Sequence, residues 1–321
     1  MKFLVTGGAG FVGSNLVEFL LHEGHHVKVL DNFSTGKKEN IYGFEKDIEL
    51  IEGDVRDYNS VIEAVRGSEL IIHLAALTPA QRSIPDPVLC NQVNINGTIN
   101  ILDAAKKYDV QRVVFASSSS VYGNTRELPK HESLPLRALT PFALTKLAGE
   151  GYCRIFSDLY GLETISLRYF SVFGPKQDSE SEYSPIIPKF IKSMLEGSQP
   201  IIYGDGEQSR DFVFVANIVK ANYLAATANI KGGGEVINCA SNEHITLNQL
   251  VDTINDALHS EILPIYSEPR KNDIRHLIAD ISLAEKLLKY KPEVSFKDGL
   301  ELTVEFYKTK MFPSLGYDLD V

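Results

Sequence analysis

Short apolar runs alternate with amphipathic stretches along the first half of the chain. "KFLVTG" at 2–7, "HVKVLDN" at 26–32, "IELIEGD" at 48–54, "ELIIHLA" at 69–75, "RVVFASS" at 112–118 and "ETISLRY" at 163–169 have the length and composition of buried strands. Between them, 13–23, 58–66, 91–108 and 142–160 read as helices. This alternation predicts an α/β fold of Rossmann type, a doubly wound parallel sheet covered by helices on both faces. In the last of these helices Leu144, Leu147, Ala148, Tyr152, Ile155, Phe156 and Leu159 make one broad apolar face, which must meet either the sheet or a partner. From Gly174 the alternation turns irregular until "GEVINCA" at 234–240. The expected division is therefore a nucleotide-binding domain of residues 1–173 plus 215–256 and a smaller, discontinuous C-terminal lobe of 174–214 plus 257–321.

Composition narrows the function classes. With 321 residues, 44% apolar and 23% charged, the chain is long enough for one large domain or two coupled ones. A formal charge of −10, from 42 acidic and 32 basic residues, argues against a nucleic-acid surface. Cys90, Cys153 and Cys239 are far apart and form no CxxC pair, so neither a disulfide framework nor a metal site is expected. The apolar run at the start is too short for a signal-peptide core, and no later one is long enough to span a bilayer. The expectation is a soluble, cytoplasmic protein without a membrane partner.

"TGGAGFVGSNLVEFLL" sets Gly7, Gly10 and Gly13 directly after the first strand and at the opening of a helix. A pyrophosphate must approach backbone N–H groups at such a helix start, and side chains there would block it. The second strand ends in Asp31, eighteen residues after Gly13, placed to bond the hydroxyls of an adenosine ribose. A carboxylate there repels a 2′-phosphate and favours NAD over NADP, a preference that Lys37 and Lys38 moderate. "GDVRD" at 53–57 offers Asp54 and Val55 as an adenine clamp, or equally a simple turn in which Asp57 caps the next helix.

"ASSSSVYG" at 116–123 brings hydroxyls to the carboxyl edge of the sheet, where ligands of open α/β folds bind. Together with the glycine motif, "HLAAL" at 73–77, "NINGT" at 94–98, the Phe142/Lys146 spacing, "RYFSVFGP" at 168–175 and "GDGEQSRDFVFV" at 204–215, it makes the chain resemble the extended short-chain dehydrogenase/reductases, and within them the nucleotide-sugar 4-epimerases. The resemblance runs from residue 1 to about 310.

That resemblance implies NAD as cofactor, a UDP-sugar as substrate and a homodimer built through the helices near 91–108 and 142–160. The implied cofactor contacts are Gly7, Gly10, Phe11, Val12 and Gly13 at the first turn, then Asp31, Asn32, Ser34, Thr35 and Gly36 after the second strand. Asp54, Val55, Leu74, Ala75, Ala76, Asn94, Lys146 and Tyr169 complete them. On the sugar side the family pattern falls on Arg82, Ser118, Ser119, Ser120, Phe142, Ser171, Arg210, Arg270 and Asp273. Arg210 and Arg270 match arginines that grip the diphosphate, a task suited to a planar guanidinium. Ser119 and Ser120 stand where related dehydratases and decarboxylases carry carboxyl groups, which favours epimerisation. Ser171 replaces a usual Asn, and Leu277 falls at the position that gates hexoses from N-acetylhexosamines, where its intermediate size selects neither.

One residue breaks the pattern. In the family, a Ser or Thr at 118 bonds the sugar 4-hydroxyl, a Tyr at 142 takes its proton as hydride leaves C4, and Lys146 favours the phenolate. The 4-keto sugar then turns in the site and receives hydride on its other face. Here residue 142 is Phe, with the ring retained and the hydroxyl gone. Two expectations stand: an epimerase slowed by loss of its proton carrier, or a protein that binds NAD and a UDP-sugar without turning the sugar over.

Overall fold

The computed structural model describes residues 1–78, 80–180, 184–269 and 274–312. Its central sheet has seven strands: β1 (Lys2–Thr6), β2 (His26–Asp31), β3 (Ile48–Glu52), β4 (Leu70–His73), β5 (Arg112–Ser118), β6 (Glu163–Tyr169) and, later in the chain, β11 (Gly233–Cys239). All pair in parallel in the order β3-β2-β1-β4-β5-β6-β11. The order reverses direction between β1 and β4, so the carboxyl ends of those two strands open a crevice. Helices α1 (Phe11–His22), α2 (Tyr58–Val65), α3 (Pro87–Asn91), α4 (Gly97–Lys107) and α5 (Pro141–Tyr160) supply the crossovers. A single π-helical turn, Gln92–Asn96, interrupts the helix expected over 91–108 and joins α3 to α4.

Local chemistry fixes where these helices begin. The Asp57 carboxylate accepts from the N–H groups of Asn59 and Ser60, so the capping role foreseen for it is present. Helix α5 starts behind Thr140, whose hydroxyl accepts from Ala143 N–H, with Pro141 in the first turn, and stops at Gly161 in the left-handed region. The face of α5 turned to the sheet is Phe142, Thr145, Lys146, Gly149, Glu150, Cys153 and Phe156. Of the apolar face read from the sequence, Leu144, Ile155 and Leu159 are instead 57%, 46% and 69% exposed. The sheet thus covers a mixed face, and much of the more apolar one looks outward.

The second half builds a lobe from short elements: β7 (Ser171–Phe173), α6 (Ile186–Leu195), β8 (Ile201–Tyr203), β9 (Ser209–Arg210), β10 (Phe212–Phe214), β12 (Ile245–Thr246), α8 (Leu247–Leu258), β13 (Ile265–Ser267), β14 (His276–Leu277), α9 (Ser282–Leu288) and α10 (Phe296–Met311). Helix α7 (Val215–Thr227) runs back to pack on α1 and on β4–β6, while α8 packs on α6 and α10. β7 pairs with β10, β8 with β13, and β9 lies between β12 and β14. Phe173 meets Phe212 and Phe214 edge-on and Phe296 tilted, and Phe212 stacks on Phe296, at the centre of this lobe, continuous with the core under α1 and α7. Among the described residues no helix is long and apolar enough to cross a membrane.

Candidate active site

A cavity of about 830 Å3 runs along the crevice from the end of β2 to the end of β5. Its floor is the turn between β1 and α1. Gly7 has φ +71°, and a Cβ on it would lie 2.9 Å from Ala75 N. A Cβ on Gly13 would lie 2.1 Å from the carbonyl oxygen of Gly7. Only glycines permit this packing, and it brings the start of α1 to the cavity. Gly10 precedes α1 without any side-chain cap, so the first N–H groups of the helix remain open to a ligand.

Asp31 closes the β2 end. Its buried carboxylate accepts from the N–H groups of Ala9 and Phe33, both at 2.9 Å, and burial pushes its pKa upward against those bonds. Asn32, Ser34, Thr35 and Gly36 continue the wall. Asn32 Nδ2 donates to Asp54 Oδ2 at 2.7 Å, and the Arg56 guanidinium beside Asp54 holds that carboxyl down at about 2. Asp54 and Val55 therefore do line the cavity, besides forming the turn that precedes α2. Leu74, Ala75 and Ala76 line the opposite wall. His73, the first residue of "HLAAL", lies under them: its ring bonds the hydroxyls of Thr6 and Thr98, and Thr6 also accepts from Ala75 N–H. Burial and the neighbouring Lys146 lower its pKa to about 3, so it stays neutral.

At the β5 end Ser118, Phe142, Lys146, Tyr169 and Arg82 reach the same cavity. Ser118 Oγ accepts from Ser120 N–H at 3.2 Å, where the strand passes into a short 3-10 turn. Lys146 is 4% exposed; its ammonium donates to Ala116 O at 2.6 Å and lies 4.9 Å from the centroid of Phe115 and 5.8 Å from that of Phe142. Burial lowers the Lys146 pKa to about 8, against the pull of Glu150 one turn on. Phe142 packs with Leu77 and Cys90 while its backbone N–H donates to Ser83 Oγ at 3.1 Å. Both nearby phenols are engaged elsewhere. Tyr122 OH is taken up by Arg168 and Asn238, and Tyr169 OH by Asn222.

Several expected site residues lie off this wall. Asn94 sits behind it: its side chain accepts from Leu77 N–H at 2.7 Å and donates to Leu77 O and Thr145 Oγ1, pinning the 77 region to α5. Ser119 is buried in the turn, and Ser120 Oγ is buried with no hydrogen-bond partner among the described residues. Ser171 pairs in β7, with its N–H donating to Asp211 O. Arg210 lies on β9 in the lobe and donates to Ser209 O. Leu277 is buried with Val121, Tyr122 and Phe170. Arg270 and Asp273 fall outside the described residues. A lobe segment that carries no recognisable motif also returns to the cavity. Lys176, Gln177 and Asp178 line it; Lys176 pairs with Glu18 at 2.7 Å and Asp178 with Lys37 at 3.0 Å.

The NAD-dependent epimerase/dehydratase family model matches residues 3–240. The chain belongs to that family. NAD is accordingly its cofactor, and the uncapped helix start beside Gly7 and Gly13 fits a dinucleotide pyrophosphate. It is 38% identical over 308 residues to a putative UDP-glucose 4-epimerase of Methanocaldococcus jannaschii, covering 95% of this chain and 98% of that one. A solved UDP-N-acetylglucosamine 4-epimerase of Methanobrevibacter ruminantium, in complex with UDP-N-acetylmuramic acid, superposes with a TM-score of 0.92 at 39% identity, covering 97% of this chain and 99% of the other. A tyrosine-to-phenylalanine mutant of UDP-glucuronic acid 4-epimerase from Bacillus cereus, in complex with NAD and UDP-4-deoxy-4-fluoro-glucuronic acid, superposes with a TM-score of 0.89 at 31% identity, over 97% and 100% of the two chains.

Proposed function

We propose that the chain is a UDP-sugar 4-epimerase scaffold that binds NAD and a UDP-sugar and turns the sugar over slowly because residue 142 carries no proton acceptor. The observation that carries this reading is the single cavity joining the glycine turn to Ser118, Phe142 and Lys146. Bound NAD supplies the acceptor, and later the donor, of the hydride at sugar C4. Ser118 Oγ, at the carboxyl edge of β5, holds the 4-hydroxyl. The Lys146 ammonium orients the nicotinamide ribose, and beside a tyrosine at 142 it would favour the phenolate. With phenylalanine at 142 the 4-hydroxyl proton has no phenolate to accept it, and a positioned acid/base group is worth ~10²–10⁴ in rate. The B. cereus tyrosine-to-phenylalanine mutant, which holds both ligands, supports the view that such an exchange can spare binding.

Arg82, Arg210 and Arg270 are proposed for the UDP-sugar, the first from the cavity wall and the second from the lobe. A homodimer is supported by Leu144, Ile155, Leu159 and Tyr160 on the outward side of α5, which are 46–69% exposed. Thermal unfolding of the NAD-loaded protein with a panel of UDP-sugars tests the binding half of the proposal. A ligand at about 100 times its Kd stabilises the folded state by about 2.7 kcal/mol. A rise in Tm with at least one UDP-sugar, larger than with UDP alone at equal concentration, is the expected result; no rise with any sugar contradicts it.

A further inference from the structure

The buried polar groups behind the β5 edge form one connected set that the proposed chemistry does not use. Ser117 on β5, Arg168 on β6 and Asn238 on β11 are register partners across three adjacent strands. Glu150, one helical turn after Lys146, completes this row from α5. Its carboxylate accepts from Ser117 Oγ at 2.5 Å and from Arg168 Nε and Nη2 at 2.8 and 2.7 Å. The Arg168–Glu150 pair is 3% and 5% exposed. Arg168 Nη1 then donates to Tyr122 OH at 2.9 Å, and Tyr122 OH donates to Asn238 Oδ1 at 2.7 Å. Asn238 Nδ2 in turn donates to the carbonyls of Lys130 and Asp280.

A buried ion pair is weak as a device for stability, because desolvation offsets most of its attraction, so its placement calls for another account. Here the placement is specific. Ser117 immediately precedes Ser118, and Tyr122 ends the 3-10 turn that follows it. The pair therefore grips the chain on both sides of Ser118, which lines the cavity. Its far end reaches the segment just after β14, on the lobe proposed to hold the UDP-sugar.

We propose that Glu150 and Arg168, through Ser117 and Tyr122, are positioning residues for the Ser118 hydroxyl and tie its placement to the lobe through Asn238. The proposal rests on the epimerase reading for the role of Ser118, but the framing of the turn is measurable without it. Neither Glu150 nor Arg168 lines the cavity; both act through the backbone of the turn.

Two small substitutions loosen the frame while keeping its volume: Tyr122→Phe and Ser117→Ala. Amide hydrogen exchange on the chain as it stands, loaded with NAD, is expected to speed up about tenfold over residues 118–123 in each variant and to stay unchanged over α1. In the Phe142→Tyr form, Tyr122→Phe is expected to lower kcat about tenfold with KM for the UDP-sugar unchanged. The same change is expected to add no further loss on top of Ser118→Ala, because a positioning role acts only through that hydroxyl. Equal losses with and without the Ser118 hydroxyl, or unaltered exchange in the turn, overturn the proposal. If the Phe142→Tyr form makes no epimer from any UDP-sugar, the functional reading fails by itself, and the exchange result still decides whether the frame holds the turn.

Discussion

The two ends of the cavity are made in different ways. At the β1–α1 end the site is backbone: Gly7 and Gly13 are required by contacts of 2.9 and 2.1 Å that any Cβ would make, and the ligand-facing groups are N–H groups at a helix start. At the β5 end the site is side chains held by other side chains, with Lys146 buried on a carbonyl and Ser118 set in a turn framed by an ion pair. The difference bears on what substitution does. A backbone site fails when anything is added, whereas a side-chain site can lose one hydroxyl, as proposed at Phe142, and keep its shape.

This contrast is sharpened first by restoring the missing group. Phe142→Tyr is expected to raise turnover ~10²–10⁴-fold, the worth of a positioned acid/base group, with NAD affinity unaltered. At the other end Gly13→Ala is expected to do the reverse. Its Cβ must displace the Gly7 carbonyl, so NAD binding, followed by titration calorimetry, should weaken by about 5- to 150-fold, as overpacking of about 1–3 kcal/mol implies. Retention of NAD affinity in that variant would break the contrast.

The smallest effect is a pH slope. Lys146 has its pKa lowered by burial from 10.5 to about 8. Between those values the unfolded chain holds a proton that the folded one has released, so this group makes stability rise with pH through the window. Below about 8 both states are protonated, and the cost of the buried ammonium is present in full. Relative to Lys146→Met, the Tm of the chain should therefore gain a few degrees between about pH 8 and 10. Parallel curves would show that Lys146 is not desolvated as the structure has it.

How much was legible in the sequence follows the same division. The strands of the main sheet, the glycine turn and the place of Asp31 at the end of β2 were readable because backbone demands leave a fixed residue type or pattern at a fixed spacing. Ser118 and Lys146 were readable through motif spacing, and the structure brings both to one cavity with Phe142. Asn94 was not, since an Asn in a π-helical turn looks the same whether it faces a ligand or, as here, Leu77 and Thr145. The lobe strands were missed because β8, β9, β12, β13 and β14 are two or three residues long, below the length at which alternation can show. Nor could periodicity tell which face of α5 meets the sheet. The inward face includes Lys146 and Glu150, whose burial depends on Ala116 O and Arg168 from elsewhere in the chain.

As proposed, this scaffold lacks only a proton carrier. Its most direct test is chromatographic separation of C4 epimers after incubating the chain and its Phe142→Tyr form with NAD and the same panel of UDP-sugars. An epimer peak is expected to grow rapidly with the tyrosine form and at a rate at least about a hundredfold lower with the chain itself. Equal rates from both forms, or no epimer from a tyrosine form that still binds NAD and UDP-sugar, would contradict it.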